Sequence, residues 1–192
     1  MPGRDDRAGC RDGNRQLSST VPHTIRPAAI DDAAALSHLG ATTFRETFES
    51  ENAPEDLAHY LAEAFTPKQQ AAEIADPAST VLLAEYHGES GGTELVGYAH
   101  LIAGPVPEAV RGPAPLELKR IYVARAWHGQ GVAQALMGAA IEAAHARGAR
   151  TLWLGVWERN PRAVAFYAKY GFTRVGEFHY LHHDRDGRPE VR

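Results

Sequence analysis

The segment Leu116–Leu136, LELKRIYVARAWHGQGVAQAL, constrains this chain more than any other. An apolar strand runs from Leu116 to Val123, a short link follows, and Gly129 and Gly131 open a helix that extends to about Arg147. Glycine at a strand-to-helix turn lets backbone N–H groups approach a ligand with no Cβ in the way. The first helical turn adds unpaired N–H donors and the positive end of the helix dipole. Together these make a cradle for a pyrophosphate. Val132, Leu136, Met137, Ala140, Ile141 and Ala144 give the helix one apolar face, with Gln130, Gln134, Glu142 and His145 opposite and Gly148 as its stop.

Alone, such a glycine turn is also compatible with plain structure. The dinucleotide fingerprint G-x-G-x-x-G requires glycine at position 134, where the chain has Gln134, and no G-K-[S/T] of a P-loop follows. The remaining pattern is [Q/R]-x-x-G-x-[G/A], with Gly131 and Ala133 in place. A second block, WLGVWERNPRAVAFYAKYGF (Trp153 to Phe172), ends a strand, caps a helix with Asn160, places Pro161 at its first position and stops it at Gly171. In order and spacing the two blocks resemble the acyl-CoA loop and closing block of the GNAT superfamily of N-acetyltransferases. The likeness covers about Leu116 to Val175. With TTFRETFESENAPEDLAHYLAEAF (Thr42 to Phe65) included, the chain resembles the PaiA-type spermidine/spermine acetyltransferases from roughly Ile25 to Val175.

The rest of the chain is consistent with one domain. At 192 residues, 44% hydrophobic and 23% charged, it can bury a core. Residues 1–22 mix Arg, Asp, Gly and Ser with no apolar run, which predicts a disordered tail before a single domain over 23–192. A strand is expected at His23–Arg26, closed by Pro27. Helical segments follow from Asp31 to Leu39, stopped at Gly40, then Thr42–Glu49, one from Pro54, and Pro67–Ala75. Thr80–Tyr86 and Leu95–Ala103 read as a hairpin. Thr151–Val156 is a strand, Asn160–Tyr170 a helix, and a last strand starts at Phe172. The fold class is α/β (α+β), a central twisted mixed sheet flanked by helices, as the GNAT resemblance also implies.

The bulk numbers exclude several partners. A net charge of -4 gives no general attraction to nucleic acid or anionic membrane. No run of about 20 apolar residues is present to span a bilayer. The one cysteine, Cys10, makes no internal disulfide, so the expected location is the cytoplasm. His179, His182 and His183 lack a carboxylate or cysteine at ligand spacing, so no metal is expected.

The resemblance implies acetyl-CoA as cosubstrate and a small-molecule amine as acceptor. A neutral amine must attack the thioester, so the site needs a proton acceptor, an oxyanion donor and an acid for the thiolate. Glu117 is nominated as base, with a structurally paired glutamate as the alternative. By the period of two it shares a face with Lys119, Ile121 and Val123. Tyr167 is nominated as acid, with a packing tyrosine as the alternative. Ile121, Tyr122 and Val123 would receive the pantetheine arm, and the Val123 N–H would face the thioester oxygen. His128, Gly129, Gln130, Gly131, Val132 and Ala133 would hold the pyrophosphate, and Asn160 is a cap, a coenzyme contact or both. His128 departs from the Gln or Arg of the pattern and offers fewer donors. Glu46, Glu49, Glu51, Glu55, Asp56 and Glu63 suggest a wall for a cationic polyamine or simply a solvated helix face. Other acceptors, a non-catalytic acyl-CoA sensor and a dinucleotide-binding protein are the competing readings. A homodimer fits the resemblance, though no segment identifies an interface.

Overall fold

The computed structural model describes residues 23–50, 52–88 and 91–177, together with the backbone of 181–183 and 189–191. Five strands form one sheet in chain order: β1 (His23–Pro27), β2 (Ser79–His87), β3 (Thr93–Ile102), β4 (Pro115–Val123) and β5 (Thr151–Trp153). All neighbours are antiparallel except β4 and β5, which run parallel, so the sheet is mixed. The expected tail and Cys10 lie outside the described residues, as do His179 and the side chains of His182 and His183.

Helices cover both faces. On one side α4 (Val132–Ala146) lays Val132, Leu136, Met137, Ala140 and Ala144 onto Leu82, Ala84, Val96, Ala99, Leu101, Leu116 and Leu118. These are the apolar positions its sequence periodicity marks, and each buried Val, Leu or Met side chain contributes about 1.5–3 kcal/mol. On the other side α1 (Ala33–Phe48) buries Leu36 and Leu39 against Val81, Leu83 and Tyr98. Next to it α2 (Pro54–Ala64) adds Leu57 and Leu61 around Phe65, and α3 (Pro67–Ala75) follows.

The structure corrects the expected boundaries at four places. Helix α1 runs unbroken through Gly40, because that glycine serves close packing and does not end the helix. A Cβ there would sit 2.5 Å from Phe65 Cδ1. The glycine turn occupies 129–131, so α4 starts only at Val132. Strand β5 stops at Trp153, three residues short of Val156. Residues 172–177 form no strand; instead Leu181–His183 (β6) and Pro189–Val191 (β7) make a separate two-stranded antiparallel pair.

Candidate active site

The early end of β5 creates the site. Strand β4 pairs with β5 only through Pro115, Leu116 and Glu117, opposite Thr151, Leu152 and Trp153. Beyond Glu117 no strand among the described residues pairs with this edge of β4, which leaves a gap there. The Ala124 N–H donates to Val96 O of β3 at 2.9 Å. By antiparallel alternation the N–H and C=O of Val123 therefore point the other way, into the gap. The carbonyl of Val123 confirms this direction, since His128 Nε2 meets it there at 2.9 Å.

The period of two breaks before this point. Between β3 and β4 the register shifts: His100 faces Arg120 while Leu101 faces Leu118, leaving Lys119 as an extra residue. A bulge of this kind turns the strand's later side chains over. Lys119 and Arg120 consequently both reach Glu73 on α3, at 3.6 and 2.6 Å. Ile121 and Val123 pack into the α4-side core, whereas Tyr122 packs on the α1 side. Glu117 follows the buried Leu116 and precedes the buried Leu118 of the α4 side, so its own side chain lies on the α1 side. The expectation that Glu117 shares a face with Ile121 and Val123 is thus corrected by the bulge. Glu117 is half-buried at the closed end of the gap. Desolvation pushes its carboxyl above the usual range, opposed by Lys119 and Arg120.

At the open end the chain makes one 3-10 turn, Arg125–Trp127, and then the glycine turn. Gly129 and Gly131 take φ of +79 and +86°, left-handed values that cost a Cβ-bearing residue free energy. Gly131 is the N-cap of α4. Beside the turn lies a cleft of about 290 Å³ bounded by Val123, Trp127, the glycine turn, Ala133 and α5 (Pro161–Ala168). Trp127 is braced by Tyr86, ring centroids 4.5 Å apart. Gln130 Nε2 is committed to Ala126 O at 2.8 Å and buttresses the turn.

The same cleft carries two cations that the sequence reading passed over, Arg162 and Lys169. With Ala165 and Phe166 they fall at i, i+3, i+4 and i+7 from position 162, one helical face counted from the Asn160 cap. That spacing is visible in the sequence. Arg162 Nη1 donates to His128 Nδ1 at 2.9 Å. Asn160 Oδ1 accepts from the Ala163 N–H at 3.0 Å, which establishes the cap. Tyr167 sits on the α4-side core against Phe166 and Phe172, and burial pushes its phenol up to about 12. It is a protonated donor at neutral pH.

On the α1 side, Phe44, Phe48, Tyr60, Phe65 and Tyr122 form a continuous aromatic wall, and Trp157 beyond β5 meets Phe48 at 6.1 Å. The acidic run is partly engaged. The Glu46 carboxylate accepts the Arg125 N–H at 2.9 Å, and Arg125 Nη2 lies 3.4 Å from Glu49 Oε1. Those two glutamates dock α1 onto the turn after β4 and do not form a bare anionic surface. Among the described residues no cluster of three metal-ligating side chains is found, and no helix is long and apolar enough to cross a membrane.

Comparison with known proteins places this geometry in context. The pattern describing the acetyltransferase (GNAT) family matches residues 41–172. An uncharacterised N-acetyltransferase of Mycobacterium bovis is 34% identical over 158 residues, 81% of this chain and 94% of that protein. The fold is that of a PaiA N-acetyltransferase from Thermoplasma acidophilum solved with coenzyme A, at TM-score 0.65 and 16% identity over 88% of this chain and 97% of that one. An aminoglycoside N-acetyltransferase, also solved with CoA, matches at TM-score 0.60 and 14% identity over 85% and 95% of the two chains.

Proposed function

The chain belongs to the GNAT acetyltransferase family and is an acetyl-CoA-dependent N-acetyltransferase, and we propose that its acceptor is a small polycationic amine, a polyamine first among them. The observation that carries the reading is the gap between β4 and β5 opening directly onto the glycine turn of α4. A pantetheine arm fits as a surrogate strand along such an edge, with Ile121 and Val123 offering backbone groups. Gly129, Gln130, Gly131, Val132 and Ala133 would present N–H donors to the diphosphate.

Glu117 removes a proton from the amine, whose lone pair forms the new C–N bond. The Val123 N–H donates to the thioester oxygen as it gains charge. The C–S bond breaks, and Tyr167 protonates the leaving sulfur. Base and acid approach from opposite faces of the sheet, Glu117 from the α1 side and Tyr167 from the α4 side. That arrangement suits an acceptor and a thiol entering from opposite sides. No enzyme nucleophile is required, so transfer is direct within a ternary complex.

The polycation reading rests on the aromatic wall together with Glu55, Asp56 and Glu63 of α2, since an ammonium is attracted to ring faces as well as to carboxylates. The single cysteine accords with action in the cytoplasm. CoA release measured separately with spermidine, spermine, lysine and an aminoglycoside tests the acceptor. Turnover confined to spermidine and spermine supports the polyamine; a preference for the aminoglycoside keeps the polycation and replaces the polyamine. Turnover with lysine alone refutes both.

A further inference from the structure

We propose that Arg162 of α5 is the side chain that holds the coenzyme's diphosphate, and that His128 is a positioning residue joining it to the Val123 peptide. The inference deepens the acetyltransferase reading and rests on it for the identity of the ligand.

The hydrogen bonds fix the roles. A guanidinium only donates, so His128 Nδ1 must accept from Arg162 Nη1 at 2.9 Å. His128 Nε2 then carries the proton and donates to Val123 O, also at 2.9 Å. Both ring nitrogens are occupied, which leaves His128 no donor for a phosphate. The side chain at the first position of the glycine pattern therefore faces inward, toward the strand end. The cleft beside the glycine turn still has a guanidinium, because Arg162 lines it from α5. Tethered by one nitrogen, Arg162 retains further N–H donors in a planar fork suited to two phosphate oxygens.

The same chain of bonds reaches the reacting end. The Val123–Ala124 peptide is gripped from both sides, its N–H by Val96 O at 2.9 Å and its C=O by His128. This fixes the backbone at Val123, whose own N–H points into the gap. One imidazole thus links the phosphate-binding guanidinium to the peptide beside the thioester, over the short span between residues 123 and 128.

Calorimetric titration of CoA and of dephospho-CoA, which keeps the diphosphate but lacks the 3′-phosphate, tests the assignment in wild type, Arg162→Gln and Arg162→Lys. Loss of a charge-assisted bidentate contact predicts that Arg162→Gln weakens both ligands equally, by about tenfold to a hundredfold. Arg162→Lys, which keeps the charge but not the fork, should recover part of the loss, an outcome that mere disruption of the helix would not give. Weakening confined to CoA would move Arg162 to the 3′-phosphate and overturn the proposal, as would unchanged binding of both ligands or failure of the lysine to rescue. Binding is read without turnover. An enzyme that binds CoA in this Arg162-dependent way yet acetylates no amine would refute the proposed function and leave this inference standing, whereas active enzyme indifferent to Arg162 would do the reverse.

Discussion

Replacing Glu73 by Gln should show how the bulge of β4 is held and what it does for Glu117. Glu73 and Arg120 have side chains only 8% and 12% exposed and meet at 2.6 Å, and Lys119 Nζ lies 3.6 Å from the same carboxylate. Burial pushes the Glu73 carboxyl up, but the Arg120 bond and the charges of Arg120 and Lys119 bring the net position below its usual range. His100 adds no charge to this cluster near neutral pH, since burial lowers its imidazole to about 4. Removing one member of a buried ion pair costs about 3–5 kcal/mol, because the surviving charge is left unpaired. Glutamine still offers Arg120 an acceptor, which favours the lower end, about 3 kcal/mol. The face of Phe65, 5.4 Å from the guanidinium, compensates too little, such contacts being worth about 0.5–2 kcal/mol. For a domain of this size the loss corresponds to a fall in Tm of about 6–12 °C. Urea unfolding should recover most of the loss in the double variant Glu73→Met with Arg120→Met. Because the folded carboxyl is held low, its contribution is complete at neutral pH and disappears on acidification; Glu73→Gln should flatten that part of the pH–stability curve. With Lys119 and Arg120 no longer neutralised, the Glu117 carboxylate is favoured, and the acid limb of kcat/KM moves to lower pH. A stability loss below about 1 kcal/mol, with an unmoved limb, would refute the reasoning.

Glu117→Gln should lower kcat/KM by about 10²–10⁴-fold and abolish the acid limb. In the wild type that limb lies above the ordinary carboxylate range, since burial raises the Glu117 carboxyl; an unchanged profile would remove Glu117 as base. Tyr167→Phe should reduce kcat by about a hundredfold with little change in Tm, and full turnover would leave the tyrosine as packing alone. Gly40→Ala gains about 1 kcal/mol of helix propensity but drives a methyl against Phe65, a clash of about 1–3 kcal/mol. The urea midpoint should therefore fall, and a rise would mean that Phe65 yields freely.

What could be read from the sequence is what local chemistry dictates. The glycine turn, the apolar face of α4 and the Asn160–Pro161 start of α5 follow from backbone conformation, helical period and capping, and the structure forms each of them. The hairpin β2–β3 follows from its turn residues in the same way. Features set by distant partners were not legible. Gly40 looks like a stop until Phe65 is seen packed against it. The bulge at Lys119 brings two neighbouring cations onto Glu73, 46 residues earlier, a pairing no local pattern announces. The bulge, and not the period of two, decides which later residues of β4 share a face with Glu117. His128 reads as a weakened phosphate ligand until Arg162 is found bonded to it. The acidic run likewise reads as a polyamine wall or a solvated helix face until Arg125 is seen to engage Glu46 and Glu49.

The most direct test of the account is the initial-rate pattern obtained by varying acetyl-CoA against the best acceptor amine. Direct attack in a ternary complex predicts intersecting double-reciprocal lines and one CoA released per acetylated amine. Parallel lines, or CoA released in a burst before the amine is added, would reveal an acetylated enzyme and contradict it.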